Sequence, residues 1–198
     1  SAGSKELRDL LRFMVDDIKR APRLQGDKIL WVHLMPYYQQ SLKAAFDYSP
    51  AHQIVAVDMA FCTMSDLADA DPFRALAKKL IDNAMNGPYE RKLALVDRLL
   101  DATRADGVIH FCHWGCKQSA GGSALLREHL HEAGVPLLQL DGDGIDERNS
   151  HDGQIKTRLE AFFEMLEAKR AEGAAQGGAS SGESAAQGGG VEAKGGAR

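Results

Sequence analysis

Apolar residues recur along this chain in two alternating rhythms. Leu7, Leu10, Leu11, Met14, Val15 and Ile18 are spaced by three and four and share one face of a helix. Lys28 to Met35 is instead a short, nearly continuous apolar run ended by Pro36, which predicts a buried strand. A helix with Leu42, Ala45 and Phe46 as its stripe follows, and Gln53 to Met59 reads as a second buried strand. Asp71-Pro72 supplies an N-cap with proline at the first helical position. Phe73, Leu76, Ala77, Leu80 and Ile81 are then expected as a buried stripe, and Asn86-Gly87-Pro88 stops that helix. Leu93, Val96, Leu99 and Leu100 mark another helix, and Gly107 to Phe111 a third strand. The helix after it carries Leu125, Leu126 and Leu130. Gly134 closes that helix, Pro136 opens a fourth strand at Leu137 to Leu140, and Ile155, Leu159, Phe162, Phe163 and Leu166 predict a closing amphipathic helix.

Strands that are apolar on both faces and alternate with helices call for a parallel sheet covered on both sides. Right-handed crossovers narrow this to a flavodoxin-like or half-Rossmann arrangement. The expected fold class is α/β: a three-layer flavodoxin-like domain over residues 26–170, with a four-stranded or slightly larger parallel sheet. Residues 1–25 read as a connecting helix. Residues 171–198 are rich in Gly, Ala, Ser, Gln and Glu, with Val191 as the single valine and no aromatic residue. Such a stretch buries too little apolar area to offset chain ordering, so a disordered tail is expected there.

Composition trims the possibilities. The chain has 198 residues, 44% hydrophobic and 26% charged, with net charge −4. One domain of this size needs no disulfides. The acidic balance and the lack of a basic block argue against electrostatic nucleic-acid binding. No apolar run approaches the roughly 18 residues of a membrane span, and a cytoplasmic protein is expected. The Ser1-Ala2-Gly3-Ser4 start, without initiator Met or signal core, reads as a cut or processed end. Three cysteines, Cys62, Cys112 and Cys116, make a poor disulfide framework and are too few for a four-thiolate metal site within the chain.

In open parallel sheets, ligands bind beyond the carboxyl ends of the strands. The third strand ends in His110-Phe111-Cys112-His113-Trp114-Gly115-Cys116-Lys117-Gln118-Ser119, and the fourth in Asp141-Gly142-Asp143-Gly144-Ile145-Asp146. Both polar loops fall on one rim. Cys116, at a strand-to-helix turn beside Lys117, is placed to be a thiolate nucleophile or a soft-metal ligand, or else a small packing residue. Packing is the favoured role of Cys62 and Cys112. His110 and His113 with the cysteines match no standard zinc spacing, and a Cys116–His113 nucleophilic pair requires proximity in space. Ser119, Gly121, Gly122 and Ser123 open a helix where an anionic ligand or a close-packed neighbour could approach. Asp141, Asp143 and Asp146 lack the closing glutamate of a calcium loop and read as an acidic turn.

These same loops carry a resemblance. Ala105-Asp106-Gly107-Val108-Ile109-His110-Phe111, then His113-Trp114-Gly115-Cys116-Lys117-Gln118-Ser119, resemble the 2-hydroxyacyl-CoA dehydratase and benzoyl-CoA reductase family. So do Ala133-Gly134-Val135-Pro136, Leu140-Asp141-Gly142-Asp143, Gly153-Gln154, the run Thr157-Arg158-Leu159-Glu160-Ala161-Phe162 and Glu164-Met165-Leu166. Weaker similarity extends through Asp71-Pro72-Phe73 and Asn86-Gly87 to Ile29. The Trp-Gly-Cys-Lys-Gln wording is most similar to a dehydratase subunit.

The resemblance implies an anaerobic lyase of two sister subunits, each built of two α/β domains and holding a [4Fe-4S] cluster on three cysteines. An ATP-dependent iron–sulfur activator supplies one electron to an acyl-CoA thioester, and water leaves a 2-hydroxyacyl-CoA through a ketyl radical to give a 2-enoyl-CoA. Cys116 matches the cluster ligand of the C-terminal domain. The other ligands belong to an N-terminal half expected from elsewhere, in cis or in trans, so the chain alone is expected to be inactive. His113, Gln118 and Ser119 are candidates for groups beside the cluster or substrate, and Ser119, Gly121, Gly122 and Ser123 for contacts with an anionic part of the substrate. Three alternatives stay open: a benzoyl-CoA reductase-type subunit, a non-catalytic α/β interaction domain, and a flavodoxin-like small-molecule binder.

Overall fold

The computed structural model describes residues 5–22, 25–61 and 71–182, with side chains up to Gly173. Its elements run α1 (Lys5–Arg20), β1 (Asp27–Val32), α2 (Gln40–Phe46), β2 (His52–Val57), α3 (Pro72–Ile81), α4 (Glu90–Thr103), β3 (Gly107–His113), the single turn α5 (Lys117–Ala120), α6 (Ser123–Glu132), β4 (Leu137–Gly142) and α7 (Asp152–Gly182). The four strands form one all-parallel sheet in the order β2-β1-β3-β4. These are the first four strands of the flavodoxin-like order 2-1-3-4-5.

Alternation along the strands divides the core into two halves. Ile29, Trp31, Ile109, Phe111, Leu138 and Leu140 pack with Leu42 of α2 and with Ile155, Leu159, Phe162 and Leu166 of α7. Leu30, Val32 and Val108 face the other way, against Leu95, Val96 and Leu99 of α4 and Leu126 and Leu130 of α6. The expected three layers follow from that two-residue period. Both central strands are fully buried over their apolar residues, which is why they read as unbroken runs rather than alternating ones.

The covering of the helices departs from a reading in which every apolar stripe is buried. The stripe on α3 is not buried: Phe73 is 81% exposed and Leu76, Leu80 and Ile81 are also exposed, with only Ala75 covered. The helix still starts where expected, since the Asp71 carboxylate accepts the Phe73 N–H at 2.9 Å. Periodicity shows that a helix has an apolar face, not that a neighbour covers it. On α1 no residue is buried, and Leu10, Leu11, Phe13, Met14, Val15 and Ile18 are all exposed. Leu125 of α6 is exposed as well. The backbone of α7 runs on as helix past the composition change near residue 171 to Gly182. The remainder of the expected tail, and Cys62, lie outside the described residues.

Candidate functional site

The strand order reverses direction between β1 and β3, so a crevice opens beyond their carboxyl ends. Each side of it is furnished by the residues that follow a strand. After β1 comes His33, 6% exposed and in a left-handed conformation at φ 77°. After β3 comes the turn Trp114-Gly115, where Gly115 takes φ 77°, a conformation that glycine enters without a Cβ penalty. That turn delivers Cys116, a free, half-buried thiol, to the rim. Cys116 Sγ lies 3.4 Å from Nε2 of His33, across 83 residues of sequence. The α5 turn behind Cys116 is only four residues long.

His113 ends β3 and stacks on His33, with ring centroids 6.4 Å apart and an interplanar angle of 20°. Its Nδ1 accepts the Gly144 N–H at 2.9 Å. That bond places the ring proton of neutral His113 on Nε2. The Asp143 carboxylate organises the same loop. It accepts from Asn149 Nδ2 and from the backbone N–H groups of Ile145 and Asp146, bonds that hold it below the usual carboxylate range. The acidic turn is therefore tied internally. Among the described residues no group of three or more His, Cys, Asp or Glu could hold a metal ion.

Beneath the rim lies a buried polar layer that periodicity does not single out. Asp58, just past β2, accepts the His33 backbone N–H through Oδ1 at 2.7 Å. Its other oxygen faces Lys92 Nζ at 3.2 Å, with both side chains fully buried. Lys92 shares the core face of α4 with Leu95, Val96 and Leu99. A lysine at an apolar-stripe position is the one sequence signal that could have exposed this layer. His110 is fully buried, with Nε2 3.0 Å from Ser119 Oγ, while that hydroxyl also donates to the Phe111 carbonyl at 3.1 Å. Burial, then Lys92 and His33, lower the His110 pKa to about 3.

Not every candidate reaches the rim. Ser119 is buried and fully engaged, so it braces β3 against α5 instead of facing a ligand. Gln118 Nε2 donates to the Met85 carbonyl at 3.1 Å, which ties the turn to the segment after α3. A Cβ on Gly122 would stand 1.8 Å from Cε2 of Tyr89, and one on Gly121 would stand 2.5 Å from the Lys117 carbonyl oxygen. Both glycines are thus set by close packing, and Ser123 donates its hydroxyl to the Ala120 carbonyl at 2.9 Å. Cys112 is buried beside Phe111, and burial, followed by Asp141, pushes its thiol pKa up, as a packing residue requires. His110 and His113 are engaged in separate bonds and do not form a metal pair.

A family model described as 2-hydroxyglutaryl-CoA dehydratase, D-component, matches residues 1–166. One of the subunits of benzoyl-CoA reductase from Thauera aromatica is 28% identical over 101 residues, covering 50% of this chain and 23% of that relative. The (R)-phenyllactyl-CoA dehydratase alpha subunit of Clostridium sporogenes is 22% identical over 179 residues, 85% of this chain and 43% of the relative. The alpha subunit of lactoyl-CoA dehydratase from Anaerotignum propionicum is 25% identical over 105 residues, 52% and 25% respectively. The chain thus spans less than half the length of these relatives. No helix among the described residues is long and apolar enough to cross a membrane.

Proposed function

The chain belongs to the 2-hydroxyglutaryl-CoA dehydratase D-component family, and on that premise we propose that it acts as the C-terminal part of an iron–sulfur 2-hydroxyacyl-CoA dehydratase subunit. In this reading it is a lyase component that works with a sister subunit, an N-terminal half in cis or in trans, and an ATP-dependent iron–sulfur activator. The substrate is an (R)-2-hydroxyacyl-CoA and the product a 2-enoyl-CoA. The observation that carries the reading is the placement of Cys116: a half-buried thiol at the strand-order reversal, where such sheets bind ligands.

The donor set suits one corner of a shared cluster and no more. Cys116 offers one thiolate, and the described residues contain no group of three or more His, Cys, Asp or Glu that could complete a site around it. A [4Fe-4S] group there, with its other thiolates from outside the chain, would supply the single low-potential electron that the elimination needs. The chain's own residues do the positioning. Gly115 turns Cys116 outward, and Ser119 and His110 fasten the turn to β3 from below. His113, with Nδ1 occupied by Gly144, presents Nε2–H as the donor for an acyl-thioester oxygen.

Anaerobic reconstitution of the chain together with its companion half, using iron and sulfide, tests this. Bound iron that is lost in Cys116→Ser supports it, and a stable complex that never takes up iron overturns it. A second reading, a non-catalytic interaction domain, draws on the exposed apolar faces of α1 and α3 and is the reading that survives the iron-free outcome.

A further inference from the structure

We propose that His33 is a positioning residue that donates an Nε2–H hydrogen bond to Sγ of Cys116, and that the buried Asp58–Lys92 pair holds it in place to do so.

The backbone of His33 occupies the left-handed region at φ 77°, where a non-glycine residue needs outside support. The support is the 2.7 Å bond from its N–H to Asp58 Oδ1. Asp58 is in turn fixed by Lys92 at 3.2 Å, in a setting with no exposure for either side chain. A charged pair is costly to bury, and here its geometric effect is to aim one imidazole across the crevice at one sulfur.

In its neutral form the ring carries one proton on one of its two nitrogens. Nε2 lies 3.4 Å from Sγ, within reach of a hydrogen bond to sulfur. Nδ1 is buried and has no partner. A buried N–H without an acceptor is rarer and costlier than a bare lone pair. The proton therefore sits on Nε2 and the sulfur accepts it. Such a donor stabilises the thiolate and, with that thiolate as a cluster ligand, would be one of the hydrogen bonds to sulfur that set a cluster's potential. His33 thereby couples β1 to the sulfur chemistry of β3.

This inference deepens the reading given above for Cys116 and rests on it for the thiolate's purpose, whereas the bond is tested on the iron-free chain. Long-range 1H–15N spectra of the reduced wild-type chain assign the His33 tautomer without any variant. The expected result is an Nε2–H ring whose Nε2 resonance moves in Cys116→Ala. An Nδ1–H ring, or no response to Cys116→Ala, overturns the proposal. The rate of iodoacetamide reaction at Cys116, read by peptide mass spectrometry at one pH, gives a second measure. His33→Asn keeps a residue suited to the left-handed backbone but is too short to reach sulfur, and is expected to react at least about fivefold more slowly. His33→Gln restores a donor at the Nε2 position and is expected to stay within about twofold of wild type. Equal or faster reaction in His33→Asn, or equal slowing in His33→Gln, overturns it. Failure of iron capture in the reconstitution would leave these outcomes unchanged, and failure here would leave the family reaction standing.

Discussion

Lys92 and Asp58 meet at 3.2 Å with both side chains shut off from solvent, one delivered by the core face of α4 and the other by the turn after β2. A lysine stem fills volume in the apolar layer while its ammonium finds a single counter-charge. Removing one member leaves the other charge buried and unpaired, which costs more than removing both.

Lys92→Met is accordingly expected to lower unfolding free energy by about 3–5 kcal/mol. Adding Asp58→Asn, which keeps an acceptor for the His33 N–H, should recover a large part of that loss. Denaturant midpoints of the two variants decide the point. A single variant within about 1 kcal/mol of wild type would show the pair to be unimportant.

His110 governs an acid-side loss of stability. Its folded pKa, held down to about 3 by burial and then by Lys92 and His33, lies below the roughly 6.5 of an unfolded histidine. The unfolded chain then takes up the proton first, so this contribution is complete above about pH 6.5 and is lost as pH falls toward 3. The slope from this one residue approaches about 1.4 kcal/mol per pH unit between roughly pH 6 and pH 4. Urea unfolding in His110→Gln should show that much less slope over the same interval. Identical slopes for variant and wild type would mean that His110 is already protonated in the fold.

Gly122 and Gly153 make a matched pair of tests. A methyl group at Gly122 would run into the Tyr89 ring, whereas one at Gly153 meets nothing within 4 Å. Gly122→Ala should destabilise by about 1–3 kcal/mol through overpacking. Gly153→Ala, within α7, should be neutral or stabilising by up to about 1 kcal/mol. Thermal melts that rank the two variants the other way would show that Tyr89 does not need the space Gly122 leaves.

On α3, Phe73→Ser together with Leu80→Ser should leave the stability of the isolated chain within about 1 kcal/mol, since both side chains are exposed at 81% and 63%. Leu130→Ala, in the core, should cost about 2–5 kcal/mol by the same denaturation measurement. A large loss in the α3 variant would place that stripe in the core after all.

The strands and their parallel pairing were legible because β1 and β3 are apolar on both faces, a pattern that half-exposed strands do not give. The rim was legible because turn residues follow each of those runs, and Gly115-Cys116 marked the sharpest of them. The covering of α3 was not, since spacing reports a face and never its neighbour. The His33–Asp58 bond was hidden too. Twenty-five residues separate the two, and only the pairing of β2 beside β1 brings their ends together. Lys92 left a trace, a charged residue on an apolar stripe, but its partner follows from the tertiary structure alone.

The order β2-β1-β3-β4 also sets a timetable for synthesis. β1 and β2 are near neighbours in sequence and can pair as soon as both have left the ribosome, yet the other edge of β1 stays bare until β3 arrives. Closing a loop of 83 residues costs on the order of 4 kcal/mol of chain entropy before any contact rewards it. The nascent chain must therefore carry β1, apolar from Ile29 to Val32, with one edge unpaired until β3 has been made. Shielding that edge is the task a chaperone would perform, and the arrival of Cys116 beside His33 marks the moment at which the need ends.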